Sequence, residues 1–334
     1  MTAPASPFPR PAARCAAAGA APALRPVTAA PPRSFPVYAD LCARYSGLKF
    51  SEEKSYLLEA RLSAIMRREG CADLDALAAA LAKDPSRLEP DIAEALLNNE
   101  TFFFRDRAPF DELQASVLPR LKAARSAERR LRIWSAACST GQEPYSLSMM
   151  FAEERASWHG WGIEILGTDL SRSALTRARS GLYTQFEVQR GLSTHRLLQH
   201  FTKEGERWRL KNDIRSRVRF LPRNLMHPLP GGECFDIIFA RNVLMYFGRE
   251  RKAEVLARLR TALAPDGVII LGAAETLFGF QDLFRPAAGS RGYYSPTLDI
   301  TRTAICPDSR GTVHPARGEH RESPIAFPTP NQRV

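Results

Sequence analysis

Three phenylalanines in a row, Phe102-Phe103-Phe104, stand between Asn98-Asn99-Glu100-Thr101 and Arg105-Asp106, a composition that fits neither an amphipathic helix nor an alternating strand. Such a segment can bury its rings while turning Asn99, Thr101 and Arg105 toward a small polar ligand, because buried amides and guanidinium groups need partners. A helix-end loop anchored in the core is the alternative. Further along, several apolar runs end on groups able to do chemistry. Leu131–Ala137 enters Cys138-Ser139-Thr140-Gly141-Gln142-Glu143, where small residues admit a ligand close to the backbone and a helix start offers N–H groups. Glu143 there suits a cationic group such as an ammonium, or else caps the helix. A single glycine is not the dinucleotide fingerprint and cannot cradle a triphosphate. Gly167-Thr168-Asp169-Leu170 puts an acid where α/β folds accept both hydroxyls of a ribose; helix capping is its alternative. Phe220–Leu225 offers Asn224 as a reader of an adenine edge or as a turn former. Phe235–Ala240 leads into Arg241, Asn242 and Tyr246, which would face the reacting centre of such a fold.

The elements that must position these groups fall into two kinds. Phe35–Asp106 reads as helical: within Ser55–Glu69, Leu58, Leu62, Ile65 and Met66 recur at helical spacing and Gly70 stops the run, with shorter helices expected at Asp73–Leu81 and Ile92–Leu97. Lys54, Arg61 and Arg68, seven residues apart, project from roughly one face and form either a solvated stripe or a docking surface for an acidic helix. From Leu131 the rhythm changes to short apolar runs, Leu131–Ala137, Ile163–Thr168, Ile237–Ala240 and Val268–Gly272, separated by helical patterns at Pro144–Ala156, Ser171–Ser180 and Arg249–Leu263. Strands alternating with helices imply a doubly wound, Rossmann-like parallel sheet with its ligand site beyond the strand carboxyl ends. The interval 195–221 departs from that alternation and predicts a small antiparallel insertion, with Gly205 in its turn.

A chain of 334 residues with 44% hydrophobic content accommodates two domains and a sizeable core. It contains no run of 18 apolar residues, so no membrane insertion is expected, and no compact signal-peptide core follows Arg10 and Arg14; the expected location is cytoplasmic. Ala/Pro-rich residues 1–34 and the tail 299–334 are expected to be disordered. Six scattered cysteines without a CxxC pair, and histidines without metal spacing, argue against zinc and disulfides. The net charge is +11, and residues 190–223 hold ten basic groups against three acids, a cluster that could attract an acidic protein or a nucleic acid, or simply be solvated.

In order, NNETFFFRD, RIWSAACSTGQEPYS, GTDLS, RNLMHPLP and FDIIFARNVLMYF resemble the motif series of CheR, the family of chemotaxis receptor methyltransferases that use S-adenosylmethionine. The resemblance covers about residues 36–298 and implies a helical domain at 35–106 followed by a methyltransferase domain at 107–298 carrying a β-subdomain. It implies that Asn99, Thr101, Arg105, Glu143, Asp169, Asn224, Leu225, Arg241 and Asn242 surround the cofactor. Arg105 would meet the methionine carboxylate, Glu143 its ammonium, Asp169 the ribose and Asn224 the adenine, while Asn242 and Tyr246, with Arg105, line the methyl-transfer site. No metal is implied. The acceptor would be a glutamate on the cytoplasmic helical bundle of a chemoreceptor, steered by Lys54, Arg61 and Arg68. The short connection Thr202–Arg207 argues against tethering of a receptor's C-terminal peptide, and no nucleic-acid partner is expected. The competing readings are a methyltransferase acting on RNA and a non-catalytic signalling adaptor that only binds the cofactor.

Overall fold

The structure, a computed structural model, describes residues 31–229, 233–287 and 291–297. The expected tails lie outside these residues except at 31–34, where Ser34 is buried and its N–H donates to Asp75 Oδ1 at 2.9 Å. Four helices come first: α1 (Phe35–Ser46), α2 (Tyr56–Glu69), α3 (Leu74–Lys83) and α4 (Pro85–Leu96). The apolar stripe of α2, Leu58, Leu62, Ile65 and Met66, is buried as its spacing predicts, and Gly70 closes the helix in the left-handed region at φ 66°. Asp73 and Asp84 cap α3 and α4 by accepting from Ala76 N and Arg87 N. Helix α4 starts seven residues before the expected Ile92 because its prolines hide it. Pro85 sits at the first position, where it has no bond to lose, and Pro90 forfeits one.

After the segment 97–107 the chain runs through α5 (Ala108–Glu112), a π turn at Leu113–Val117 and α6 (Leu118–Ala124). It then alternates β1 (Arg130–Ala136), α7 (Gln142–Glu153), β2 (Gly162–Asp169) and α8 (Arg172–Ser180). Next come β3 (Leu182–Thr184), α9 (Gln185–Gln189), α10 (Thr194–His200), β4 (Phe201–Glu204), β5 (Arg207–Leu210) and α11 (Asn212–Arg215). The chain closes with β6 (Val218–Pro222), β7 (Phe235–Ala240), α12 (Arg249–Ala262), β8 (Leu263–Leu271), β9 (Phe284–Pro286) and β10 (Tyr293–Pro296). Seven strands form one sheet in the order β6-β2-β1-β7-β8-β10-β9, parallel from β6 to β8 and antiparallel at the β10-β9 edge. Each face carries its own apolar core, one under α5 to α8 and one under α12. The helical domain keeps a third core of its own. No helix among the described residues is long and apolar enough to cross a membrane.

The small antiparallel sheet exists, but its membership corrects the sequence expectation. Its order is β3-β5-β4, so it begins at Leu182, whereas Val218–Pro222 pairs in parallel with β2 at the edge of the main sheet. An edge strand is half exposed, and that exposure gives Val218-Arg219-Phe220-Leu221 the alternation of an antiparallel strand. Cys42, Cys71 and Cys138 are free thiols, but Cys234 is disulfide-bonded, against expectation, since scattered spacing does not reveal a pairing made by the fold.

The insertion grips the aromatic segment. Phe103 is fully buried and meets Tyr183 and Phe201 edge-on at 5.0 and 5.5 Å; Phe104 packs on Phe110 at 5.2 Å while its N–H donates to Ser146 Oγ at 2.9 Å. Gly191, at φ 88°, passes so close to this segment that a Cβ would run into the Phe103 carbonyl. Gly191→Ala is therefore expected to cost about 2–4 kcal/mol, from backbone strain plus displacement of the aromatic segment. Gly205→Ala, at φ 57° with nothing within 4 Å, should cost only about 1 kcal/mol. Urea denaturation of the two variants checks the difference, and equal losses would remove the steric argument.

Candidate active site

The strand order reverses between β1 and β7: the chain steps outward through β2 and β6 on one side and through β8 on the other. Loops leaving β1 and β7 therefore diverge and open a crevice beyond their carboxyl ends. A cavity of about 380 Å³ lies there, walled by the turns after β1, β2, β6 and β7, by segment 96–105, and by α1, α2 and the chain between them. Of the seven non-glycine residues with left-handed backbone among the described residues, six lie in or directly beside three of these walls: Phe104, Asp106, Arg107, Ala137, Ser139 and Asn242. Such conformations cost about 1–3 kcal/mol each and persist only where surrounding contacts hold them, commonly at sites.

Those contacts centre on buried charge. Arg241, at the end of β7, has a side chain only 1% exposed and donates to Glu143 Oε2 at 3.1 Å, to Asp106 Oδ2 at 2.8 Å and to the Arg105 carbonyl at 2.7 Å. Glu143, in the first turn of α7, also accepts from Ser135 Oγ at 2.8 Å. Burial pushes its carboxyl pKa up, while Arg241 and Ser135 pull it back. Asp169, at the end of β2, accepts from Ser139 N at 2.7 Å on one oxygen and from Ser171 N at 2.9 Å on the other. Its pKa too is raised, by burial first and against the pull of those N–H groups. Capping of α8 falls to Ser171, whose hydroxyl accepts from Ala174 N. The Leu170 N–H also pulls the Asp169 pKa down, and since a carboxylate has about four acceptor sites, Asp169 keeps some acceptor capacity for a ligand. The Cys138 thiol beside it is held well above its ordinary pKa, by burial and then by Asp169 and Glu143, and stays neutral.

The structure gathers Asn99, Thr101, Arg105, Glu143, Asp169, Asn224, Leu225, Arg241, Asn242 and Tyr246 around this one cavity, together with Lys54 and Arg61. They differ in what they have left to offer. Arg105 spends one N–H on the Glu100 carbonyl at 3.0 Å and lies over the Phe102 ring. Asn99 is tied by its carbonyl, which accepts from Ser139 Oγ at 2.7 Å. Asn224 commits its carboxamide to the protein, donating to the Tyr45 carbonyl and accepting from Met226 N, both at 2.9 Å. That is the turn-forming alternative, and it also fastens the helical domain to the loop after β6. Arg241 likewise serves protein groups rather than facing out. Tyr246 accepts from Asn98 Nδ2 at 2.7 Å and lies under the Lys54 ammonium at 5.5 Å.

The three basic residues at seven-residue spacing separate. Lys54 lies in a 3-10 turn before α2, and Arg61 turns inward to donate to the Leu96 carbonyl at 2.5 Å. Arg68 is not in the cavity wall: it lies roughly 10 Å further along the helix by the 1.5 Å rise and pairs with Glu69 and Asp91. Sequence reasoning missed Ser139, Asn98 and Glu94. Ser139 follows from the small-residue turn already noted. Glu94, which accepts from Ser171 Oγ at 2.9 Å and Ser173 N at 2.7 Å, looks like any surface acid of an amphipathic helix.

A family profile described as "CheR methyltransferase, SAM binding domain" matches residues 99–293, and a second, "CheR methyltransferase, all-alpha domain", matches residues 34–99. The chain is 39% identical over 262 residues to chemotaxis protein methyltransferase 1 of Pseudomonas aeruginosa, covering 77% of this chain and 95% of that protein. It is 39% identical over 251 residues to chemotaxis protein methyltransferase Cher2 of Pseudomonas putida, covering 74% and 91%. Similarity extends to the probable biofilm formation methyltransferase WspC of Pseudomonas aeruginosa, 32% identical over 73% of this chain and 59% of that protein.

The buried guanidinium makes a stability prediction. Arg241→Met leaves Glu143 and Asp106 without their cation and should cost about 3–5 kcal/mol at neutral pH. The folded-state pKa of Glu143, already raised, rises further in that variant. The folded protein then binds a proton more tightly than the unfolded chain does, so the penalty shrinks as pH falls. Adding Glu143→Gln should recover part of the loss. Urea titrations at pH 5 and pH 8 check both statements, and a pH-independent deficit would remove the unpaired carboxylate as its cause.

Proposed function

The chain belongs to the CheR methyltransferase family, and from that premise we propose that it transfers a methyl group from S-adenosylmethionine to glutamate side chains on the cytoplasmic helical bundle of a chemoreceptor. One observation carries the reading: a single cavity holds a buried acid with acceptor capacity to spare, Asp169, and a largely unspent guanidinium, Arg105. A ribose diol and an amino-acid carboxylate are the groups that such a pair would recognise. The volume of about 380 Å³ falls among small-molecule sites. When bound, S-adenosylmethionine supplies an electrophilic methyl on a positively charged sulfur.

The chain's own residues would then hold and shield rather than exchange protons. Asp169 would take the ribose hydroxyls and Arg105 the methionine carboxylate. Glu143, although paired with Arg241, keeps acceptor capacity for the ammonium. The turn 223–225 would flank the adenine through its backbone and Leu225, since the Asn224 amide is committed elsewhere. Asn242 and Tyr246 would border the transferring methyl. A glutamate acceptor is already ionised at neutral pH, so attack on the methyl needs no general base, and no histidine lines the cavity among the described residues. Rate enhancement would come from in-line alignment and from removing water around the acceptor carboxylate.

RNA as acceptor would need an open basic face, yet much of the charge in 190–223 is spent internally: Arg190 on Glu100, Arg196 on Glu153, Arg209 on Glu204 and Arg219 on Glu233. Docking of an acidic receptor helix rests instead on Lys54 at the cavity wall, since Arg61 is turned inward to the Leu96 carbonyl.

Incubation with methyl-labelled S-adenosylmethionine and receptor cytoplasmic fragments should place base-labile label on the fragments; label on RNA alone would overturn the proposal. Asp169→Ala should weaken S-adenosylhomocysteine binding about 100-fold or more, the loss of two charge-assisted hydrogen bonds, and an unchanged Kd would take Asp169 out of the site. Lys54→Glu should lower kcat/KM for receptor about tenfold with S-adenosylhomocysteine affinity kept, whereas Arg68→Glu should change it less than about twofold. Equal losses would return docking to the whole helix face.

A further inference from the structure

We propose that Glu275, a residue outside every motif above, is the positioning residue that sets the Asn242–Tyr246 turn for methyl transfer; the role rests on the function just proposed. Glu275 lies on the connection after β8, is 7% exposed, and does not line the cavity. Its Oε2 accepts from Asn242 N at 2.6 Å and Gly272 N at 2.9 Å, and its Oε1 accepts from Val243 N and Met245 N, both at 3.1 Å. Four backbone N–H groups thus fill the acceptor capacity of one buried carboxylate.

The turn has reason to need this anion. Asn242 sits in the left-handed region at φ 57°, and Leu244–Tyr246 is a single 3-10 turn whose first N–H groups have no helical partner. Three of the N–H groups in this stretch would be stranded without Glu275, each at a desolvation cost of about 1–3 kcal/mol. Asn242 and Tyr246 both reach the cavity, so the carboxylate fixes their backbone from behind. Gly272 completes the arrangement: a Cβ there would stand 2.8 Å from Asn242 Nδ2 and 2.9 Å from Glu275 Oε2.

Glu275→Gln keeps the shape but turns one acceptor into a donor facing N–H groups. In the full chain it should lower kcat for receptor methylation about 10- to 100-fold while leaving S-adenosylhomocysteine affinity within about threefold. Glu275→Asp, which keeps both oxygens, should recover part of the loss. The Glu275→Gln and Asn242→Ala effects on kcat should fall short of additive, because both act through one turn. Wild-type turnover per folded molecule in Glu275→Gln, additive effects, or cofactor affinity lost in proportion to turnover would each overturn the role. Should Glu275→Gln fail to fold, Gly272→Ala disturbs the same turn and must show the same split between turnover and affinity; wild-type turnover there overturns the role. A wild-type chain that methylates no receptor fragment would instead overturn the proposed function, and this role with it.

Discussion

The guanidinium of Arg241 is nearly out of reach of water, and its three acceptors come from two separate parts of the chain: Glu143 at the start of α7, and Asp106 with the Arg105 carbonyl in the segment between the two domains. Removing such a cation from water costs several kcal/mol, offset only when acceptors are placed well around a rigid fork. Once Arg241 leaves β7, therefore, the turn after β1 and the aromatic segment have little freedom in where they sit. The segment accepts left-handed backbone at Phe104, Asp106 and Arg107 to meet that demand. The rings of Phe103 and Phe104, sunk between the insertion and α5, hold it there. Arg105 is thereby left with its side chain toward the cavity while its carbonyl is spent behind.

Three carboxylates at or near the cavity, Asp169 and Glu275 buried and Glu143 partly so, divide the labour by what already binds them. Glu143 is neutralised by a cation and braces the floor. Glu275 is saturated by backbone N–H groups and shapes a turn. Asp169 meets fewer N–H groups than Glu275 and keeps acceptor capacity at the cavity. The same side chain type thus serves three ends, and the difference lies in the number and kind of donors each fold position supplies.

How much of this could be read in advance follows from where the information sits. Helix α2 and the strands β1, β2, β7 and β8 were legible because each buries a face or a whole run, and burial writes itself into side-chain type. The aromatic segment and the strand-end residues Asp169, Arg241 and Asn242 were legible as a set for the same reason, since polar groups at the ends of buried strands stand out. Strand β6 was misplaced because an edge strand and an antiparallel strand alternate alike, and β3, three residues long, leaves no pattern at all. The uses of Asn224 and Glu275 were hidden more deeply: their partners are backbone groups, identical in every residue, so nothing in Ala273-Ala274-Glu275-Thr276 distinguishes a buried anion from a surface loop.

The helical domain closes the site as much as it flanks it. The Lys49 N–H donates to the Tyr246 carbonyl at 2.8 Å, Leu48 bridges Phe247, the Tyr45 carbonyl holds Asn224, and Glu94 holds Ser171 and Ser173. Together these contacts join the helical domain to three strand-end loops, those after β2, β6 and β7. A rigid roof of this kind limits water around any bound electrophile, and it places Lys54 directly over the Tyr246 ring. An acidic helix drawn to Lys54 would therefore press on the turn that Glu275 holds from the other side. Docking and alignment would share one short stretch of backbone, whose geometry must already be fixed before an acceptor arrives.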